Sequence, residues 1–161
     1  MANAYYGRTN IIGELSDAQA LPSGTSGDST NMVNIVGQTG GHLWIDVYAN
    51  TAITIATGQA FNIELEGYTS DTAASATPPF SKTNSSGRQG ASGTAESDAH
   101  YYILHKTSAD GELAFDQYDL ITQCAIPEDL FRLLSYDYVQ LKYTTDANES
   151  SEKVDAFVYV K

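Results

Sequence analysis

Three histidines, His42, His100 and His105, are the side chains best suited to bind a metal or move a proton near neutral pH. His100 and His105 differ by an odd number of positions, so on one straight strand they face opposite sides, and nothing else completes a ligand set. Metal binding is not expected. The acidic pairs Asp110 with Glu112 and Asp146 with Glu149 lack the oxygen-ligand spacing of a calcium loop and read as solvated turns. Glu64 and Glu66 are two positions apart in an alternating run, which puts both carboxyls on one strand face about 6.5–7 Å apart, a separation used for glycoside hydrolysis. The opposite face of that run, Phe61, Ile63 and Leu65, supplies core, so the two carboxylates are expected to point into solvent.

The remaining catalytic patterns are missing from the sequence. It holds no Gly-x-Ser-x-Gly elbow, no His-Glu-x-x-His pair, no Walker loop and no dinucleotide fingerprint. Gly37-Gln-Thr-Gly-Gly41 and Gly87-Arg-Gln-Gly90 do not stand between a strand and a helix, as phosphate binding requires, and read as turns. The single cysteine, Cys124, lies in the strand-like run Leu120-Ile-Thr-Gln-Cys-Ala-Ile126 and reads as a small buried hydrophobe. These observations predict a protein that is not an enzyme and takes no cofactor. A small hydrolase would need a pocket in which carboxylates or a histidine converge.

The elements that carry these residues alternate with period two. Val33 and Ile35 form a short β run, and Leu43-Trp-Ile-Asp-Val-Tyr48 follows, rich in β-branched and aromatic residues. Ile53 and Ile55 suggest a weaker strand, and Phe61–Tyr68 is the clearest alternation in the chain. Strand patterns resume at His100–His105, Asp119–Ile126, Tyr136–Tyr143 and Val154–Val160. Pro127–Leu134 predicts a turn or short helical link. Seven or eight short strands without a long helical period predict an all-β fold, an antiparallel sandwich or barrel of the jelly-roll kind.

Two stretches do not fit that pattern. Residues 1–30 read as an N-terminal arm that feeds the first strand, with one candidate helical turn at Ser16–Ala20 capped by Ser16. Residues 71–98 are a long loop of Ser, Thr, Ala and Gly, and Phe80 beside Pro78 and Pro79 is an apolar anchor suited to a neighbouring subunit. At 161 residues the chain is expected to make one β domain, residues 31–161, behind the arm. A net charge of -12 repels nucleic-acid phosphates and anionic lipid, so neither is an expected partner. No apolar run reaches the ~20 residues of a bilayer span, and the first residues lack a secretory pattern, so assembly in a cytoplasm is expected. Eleven tyrosines are the strongest compositional bias, and their abundance suits contact with other molecules.

Leu15-Ser-Asp-Ala-Gln-Ala-Leu21, followed by Ser29-Thr-Asn-Met-Val-Asn-Ile-Val36, resembles the amino-terminal blocks of the jelly-roll capsid cement, or decoration, proteins of tailed bacteriophages. Tyr138–Thr145 followed by Val154–Val160 is similar to that family's closing pair of strands. The Gly/Ser-rich tract Pro22–Asp28 and the long loop depart from the pattern. The resemblance implies a virion protein on the outer surface of the capsid, a homotrimer that bridges neighbouring copies of the major capsid protein. On that footing the shell contacts are expected on Leu15, Ser16, Asp17, Ala18, Gln19 and Ala20, and the trimer contacts on Pro78, Pro79 and Phe80. The competing expectation is a carbohydrate-binding jelly-roll module on a virion surface, with Trp44 and some tyrosines as stacking platforms. Trp44 lies between Leu43 and Ile45, which favours a core or interface position over an open platform.

Overall fold

A computed structural model of the chain describes residues 10–37, 41–68, 101–133, 136–146 and 149–161. Among these residues the fold is almost wholly β. One antiparallel sheet has the order β1 (Ile11–Ala20), β11 (Lys153–Val160), β4 (Leu43–Ala49), β9 (Leu120–Ala125). A second runs β2 (Ser26–Asp28), β10 (Tyr138–Thr145), β6 (Phe61–Tyr68), β7 (Tyr102–Lys106), with β3 (Val33–Asn34) also paired to β10. A small ribbon of β5 (Ile53–Ile55) and β8 (Leu113–Phe115) and one short helix, α1 (Glu128–Leu133), complete the elements.

The alternation that predicts the strands also sets the core. Ile45 and Val47 of β4, Val154, Ala156 and Val158 of β11, Phe61, Ile63 and Leu65 of β6, and Val139, Leu141 and Tyr143 of β10 fill the space between the two sheets. Each Val, Leu, Ile and Phe side chain among them contributes roughly 1.5–3 kcal/mol by leaving water. The sandwich is tied along both margins. At one, Thr122 Oγ1 of β9 donates to the Ile103 carbonyl of β7 at 2.7 Å. At the other, the Asn31 N–H bonds to the Leu15 carbonyl at 3.0 Å, and Asn31 Nδ2 reaches the Glu14 carbonyl at 3.2 Å. Helix α1 anchors through buried Phe131, whose ring meets Tyr136 edge-on with centroids 5.7 Å apart. Gly67 is the residue of β6 beneath these two rings, where a Cβ would lie 2.8 Å from the Tyr136 ring.

Two expectations are corrected. Residues 11–20 are not an arm with a helical turn: they form β1, paired with β11 from Ile11↔Tyr159 to Ala20↔Lys153 through three register shifts. Those shifts break the period of two, which is why the run does not read as a strand. Glu64 and Glu66 do not face solvent but are 9% and 3% exposed, because the second face of β6 is covered as well. Alternation assigns side chains to faces and is silent on whether the polar face is open. The expected loop at 71–98, with Pro78, Pro79 and Phe80, lies outside the described residues, as does His100.

Candidate functional site

The amino-terminal block singled out in the sequence turns inward. Leu15 and Ser16 are fully buried, Ala18 and Gln19 are partly covered, and Asp17 and Ala20 are exposed. The Ser16 hydroxyl donates to Gln19 Oε1 at 2.7 Å, so the Tyr143 hydroxyl, 2.8 Å away, donates to Ser16. Burial pushes the Tyr143 phenol above its ordinary value, so it stays a donor throughout the neutral range. Gln19 Oε1 also accepts the Thr30 N–H at 2.8 Å, and Gln19 Nε2 donates to the Asp28 carbonyl at 2.7 Å. Between Ser16 and Gln19 the chain bulges, with Ala18 at a φ of 46°. The Ala18 N–H exposed by the bulge donates to Asp155 Oδ1 at 2.6 Å, and Asp155 Oδ2 accepts from Asn50 Nδ2 at 3.0 Å.

The neighbouring block is bound the same way. Ser29 Oγ accepts the Leu141 N–H at 3.1 Å, the Ser29 N–H returns to the Leu141 carbonyl at 2.6 Å, and Gln140 Nε2 donates to the Ser29 carbonyl at 3.0 Å. The four blocks quoted for the family resemblance therefore meet in one clamp that joins both sheets. A register-by-register reading of strands misses it, because Ser16, Ser29 and Asp155 act through side-chain bonds between residues more than a hundred positions apart.

Two buried polar groups sit on the outer sides of the sheets. Asp46 is fully buried and accepts three donors: the Tyr48 hydroxyl at 3.1 Å, the Tyr159 hydroxyl at 3.1 Å and Gln123 Nε2 at 2.9 Å. Phe157, also fully buried, stacks on Tyr48 at 5.7 Å. A carboxyl that accepts from donors on its own and two neighbouring strands in this way holds β4, β9 and β11 together. On the other sheet the Tyr68 hydroxyl donates to Glu66 Oε2. Burial raises the Glu66 carboxyl, with the Tyr68 bond and Lys142 opposing, and burial likewise raises the Tyr68 phenol. Gln140 is the register partner of Glu66, and its Oε1 meets no donor among the described residues.

The histidines are not brought together. His42 precedes β4, with Nδ1 3.3 Å from Glu128 Oε2, while Glu128 Oε1 accepts the Leu43 N–H at 3.1 Å. His105 lies on the other sheet, where Nδ1 donates to Asn62 Oδ1 at 2.7 Å and the ring stacks on Tyr102 at 4.3 Å. Among the described residues no three His, Cys, Asp or Glu side chains are grouped to hold a metal. Trp44 is half-buried and carries the Lys161 ammonium 4.6 Å over its ring, so that face is occupied. Cys124 is half-buried rather than sealed, and burial pushes its thiol up. An open cleft of about 540 Å³ lies beside α1, floored by Leu43, Phe131 and Tyr136 and rimmed by His42, Glu128 and Arg132. On its rim Arg132 lies 3.3 Å from Asp129, an exposed pair, and His42 faces Glu128.

What this chemistry can do is hold a β scaffold rigid: Asp46 joins β4 to β9 and β11, and Glu66 is bonded within β6 to Tyr68. No protein-family model matches the chain, and no curated protein matches it either.

Proposed function

We propose that this chain is a structural virion protein: a capsid decoration protein of jelly-roll type that binds the outer face of a tailed-phage head as a trimer and stabilises contacts between major capsid subunits. The observation that supports this reading is the clamp. The sequence blocks that resemble the decoration family, Leu15–Leu21, Ser29–Val36, Tyr138–Thr145 and Val154–Val160, are the parts that interlock through Ser16–Tyr143, Ala18–Asp155 and Ser29–Leu141. A set of blocks with a joint structural role is a more specific resemblance than the same blocks scattered over a surface. Leu15 and Ser16 then serve the clamp, and Asp17 and Ala20 are the residues of that block left to touch a shell.

The mechanism is thermodynamic. A protein that binds only the assembled shell lowers its free energy by RT ln(1 + [L]/Kd) per site, about 2.7 kcal/mol at a hundredfold excess over Kd. Three linked contacts per trimer slow release well beyond that of one. The test is to mix the purified protein with undecorated shells and measure stoichiometry and heat resistance, with light scattering for the trimer. Saturable binding that raises the temperature of shell disruption is expected. Binding without added heat resistance, or a monomer at all concentrations, overturns the reading.

A further inference from the structure

Strand β9 is the last strand of its sheet, and its outer backbone groups have no strand to pair with among the described residues. The Ile126 N–H donates to the Leu43 carbonyl at 2.8 Å, and Ile45↔Cys124 and Val47↔Thr122 follow in register, so Thr122, Cys124 and Ile126 turn their backbone toward β4. Gln123 and Ala125 turn theirs the other way, off the sheet. The Ala125 carbonyl takes the Cys124 thiol at 3.1 Å, and the Gln123 N–H, the Gln123 carbonyl and the Ala125 N–H bond to nothing among the described residues. The opposite end of the sheet differs, because there Asn31 donates to the Leu15 and Glu14 carbonyls of β1.

Sheet edges are ordinarily blunted with charge, and this one is bare. No acidic or basic side chain occurs from Leu120 to Ile126, in a chain whose net charge is -12. The acids on either side are engaged within the chain, Asp119 Oδ2 by the Asp116 N–H at 2.9 Å and Glu128 Oε1 by the Leu43 N–H at 3.1 Å. Exposed apolar surface collects here too. Of the four exposed large apolar side chains among the described residues, Tyr118 and Leu120 stand at the start of β9, and Tyr102 lies on β7, which Thr122 touches. Tyr118 has a φ of 72°, a left-handed backbone that a bulky side chain adopts only under constraint.

We propose that β9 pairs antiparallel with β9 of a second copy of this chain across a two-fold axis, joining two four-stranded sheets edge to edge. The occupant follows from the symmetry of the strand. Pairing is limited at one end by the register shift between Thr122 and Leu120, and at the other by Pro127, which has no N–H. Ile121 and Pro127 stand at equal distances from Cys124, and a strand bounded evenly about its centre matches its own copy run in reverse. With Cys124 on the axis, Gln123 of each copy faces Ala125 of the other, and the open donors and acceptors close as reciprocal bonded pairs. Exposed Leu120 then lies against the Pro127 end of the other strand. A second copy carries the same negative charge, and the bare stretch lets two such copies approach without setting like charges face to face. Being two-fold, the contact is distinct from the three-fold contacts of a decoration trimer and stands whether or not the chain forms one.

Hydrogen exchange of the full chain, resolved to single amides by NMR, tests the pairing, because the fold alone protects Thr122 and Cys124 and leaves Gln123 and Ala125 open. At about 1 mM protein, where a small interface is populated, the Gln123 and Ala125 amides are expected to exchange at least about tenfold more slowly than in Leu120→Lys, which sets a charge on the exposed edge. Thr122 and Cys124 are expected to exchange equally in both. Ala125→Pro, which removes a donor that the fold does not use, is expected to free the Gln123 amide to the same extent. Sedimentation at that concentration is expected to show the native protein at twice the mass of either variant. Gln123 and Ala125 amides that exchange in the native protein as fast as in an unstructured peptide overturn the pairing and leave the edge to a foreign strand. Slow amides that neither substitution releases overturn it too, since the chain itself then covers them.

Discussion

Replacing Asp155 by Ala tests the clamp at its most heavily used atom pair. The side chain is 2% exposed, and it accepts the Ala18 N–H at 2.6 Å on one oxygen and Asn50 Nδ2 at 3.0 Å on the other. Hydrogen bonds to a charged acceptor are worth about 1.5–3 kcal/mol each, and their loss leaves a covered donor at the bulge unpaired. Because the two bonds share one carboxylate they are not fully additive, and a loss of about 3–5 kcal/mol is expected. That is a large share of the roughly 5–15 kcal/mol that a domain has in total. Asp155→Asn keeps one acceptor oxygen for Ala18 and is expected to cost about 1–2 kcal/mol. Ala18 provides the opposite sign. Its φ of 46° costs a non-glycine residue about 1–2 kcal/mol, of which the greater freedom of unfolded glycine offsets about half, so Ala18→Gly is expected to stabilise by about 0.5–1 kcal/mol. Denaturant unfolding of the three variants at neutral pH, with the slope checked for constancy, measures all of this. A cost below about 1 kcal/mol for Asp155→Ala, or a loss on Ala18→Gly, refutes the claim that the bulge is pinned by this carboxylate.

Three further outcomes follow from close contacts. Gly67→Ala places a methyl 2.8 Å from the Tyr136 ring and 3.0 Å from Phe131, and is expected to lower stability by about 1–3 kcal/mol in thermal unfolding. Lys106 is 4% exposed with its ammonium on the carbonyls of Ala56 at 3.2 Å and Gln59 at 2.5 Å; Lys106→Met keeps the stem, removes the donor to both, leaves Ala56 only the Gln59 N–H, and is expected to cost about 1–3 kcal/mol by the same assay. Burial of the Cys124 thiol is expected to slow its reaction with a disulfide reagent near pH 8 by about tenfold relative to an unfolded control, and a rate equal to the control's would show the thiol to be open.

The strands that the sequence discloses are those in which one face is apolar without interruption. Phe61–Tyr68 is found with both ends in place because Phe61, Ile63 and Leu65 all enter the core. Val154–Val160 emerges less sharply, since Phe157 and Tyr159 on its outer face are as well buried as Ala156 and Val158 on its inner face. Strand β1 is hidden for a different reason: three register shifts within ten residues scatter Leu15, Ser16 and Gln19 over positions that fit neither period. Strand β8 is three residues long and flanked by exposed polar positions, too short for any pattern. The candidate site was legible only as a string of blocks. That Ser16 would meet Tyr143 or Ala18 would meet Asp155 is decided by which strands become neighbours, and local sequence carries no record of it. Glu149 is a similar case, since a charged turn reads as solvated and yet this residue is 7% exposed.

Strands β10 and β11 occupy interior places in the two large sheets, each with neighbours on both sides. They are also the last strands of the described chain to be synthesised. Strands β1, β2 and β3 therefore emerge from the ribosome long before their sole sheet partners among the described residues, β10 and β11, and their backbone groups wait unpaired in the interval. Closure of both sheets is slowed by pairings that span most of the described chain, and a chain stopped before residue 138 keeps the β4–β9 and β6–β7 pairs, joined through Thr122 and Ile103, but leaves β1, β2 and β3 without a sheet.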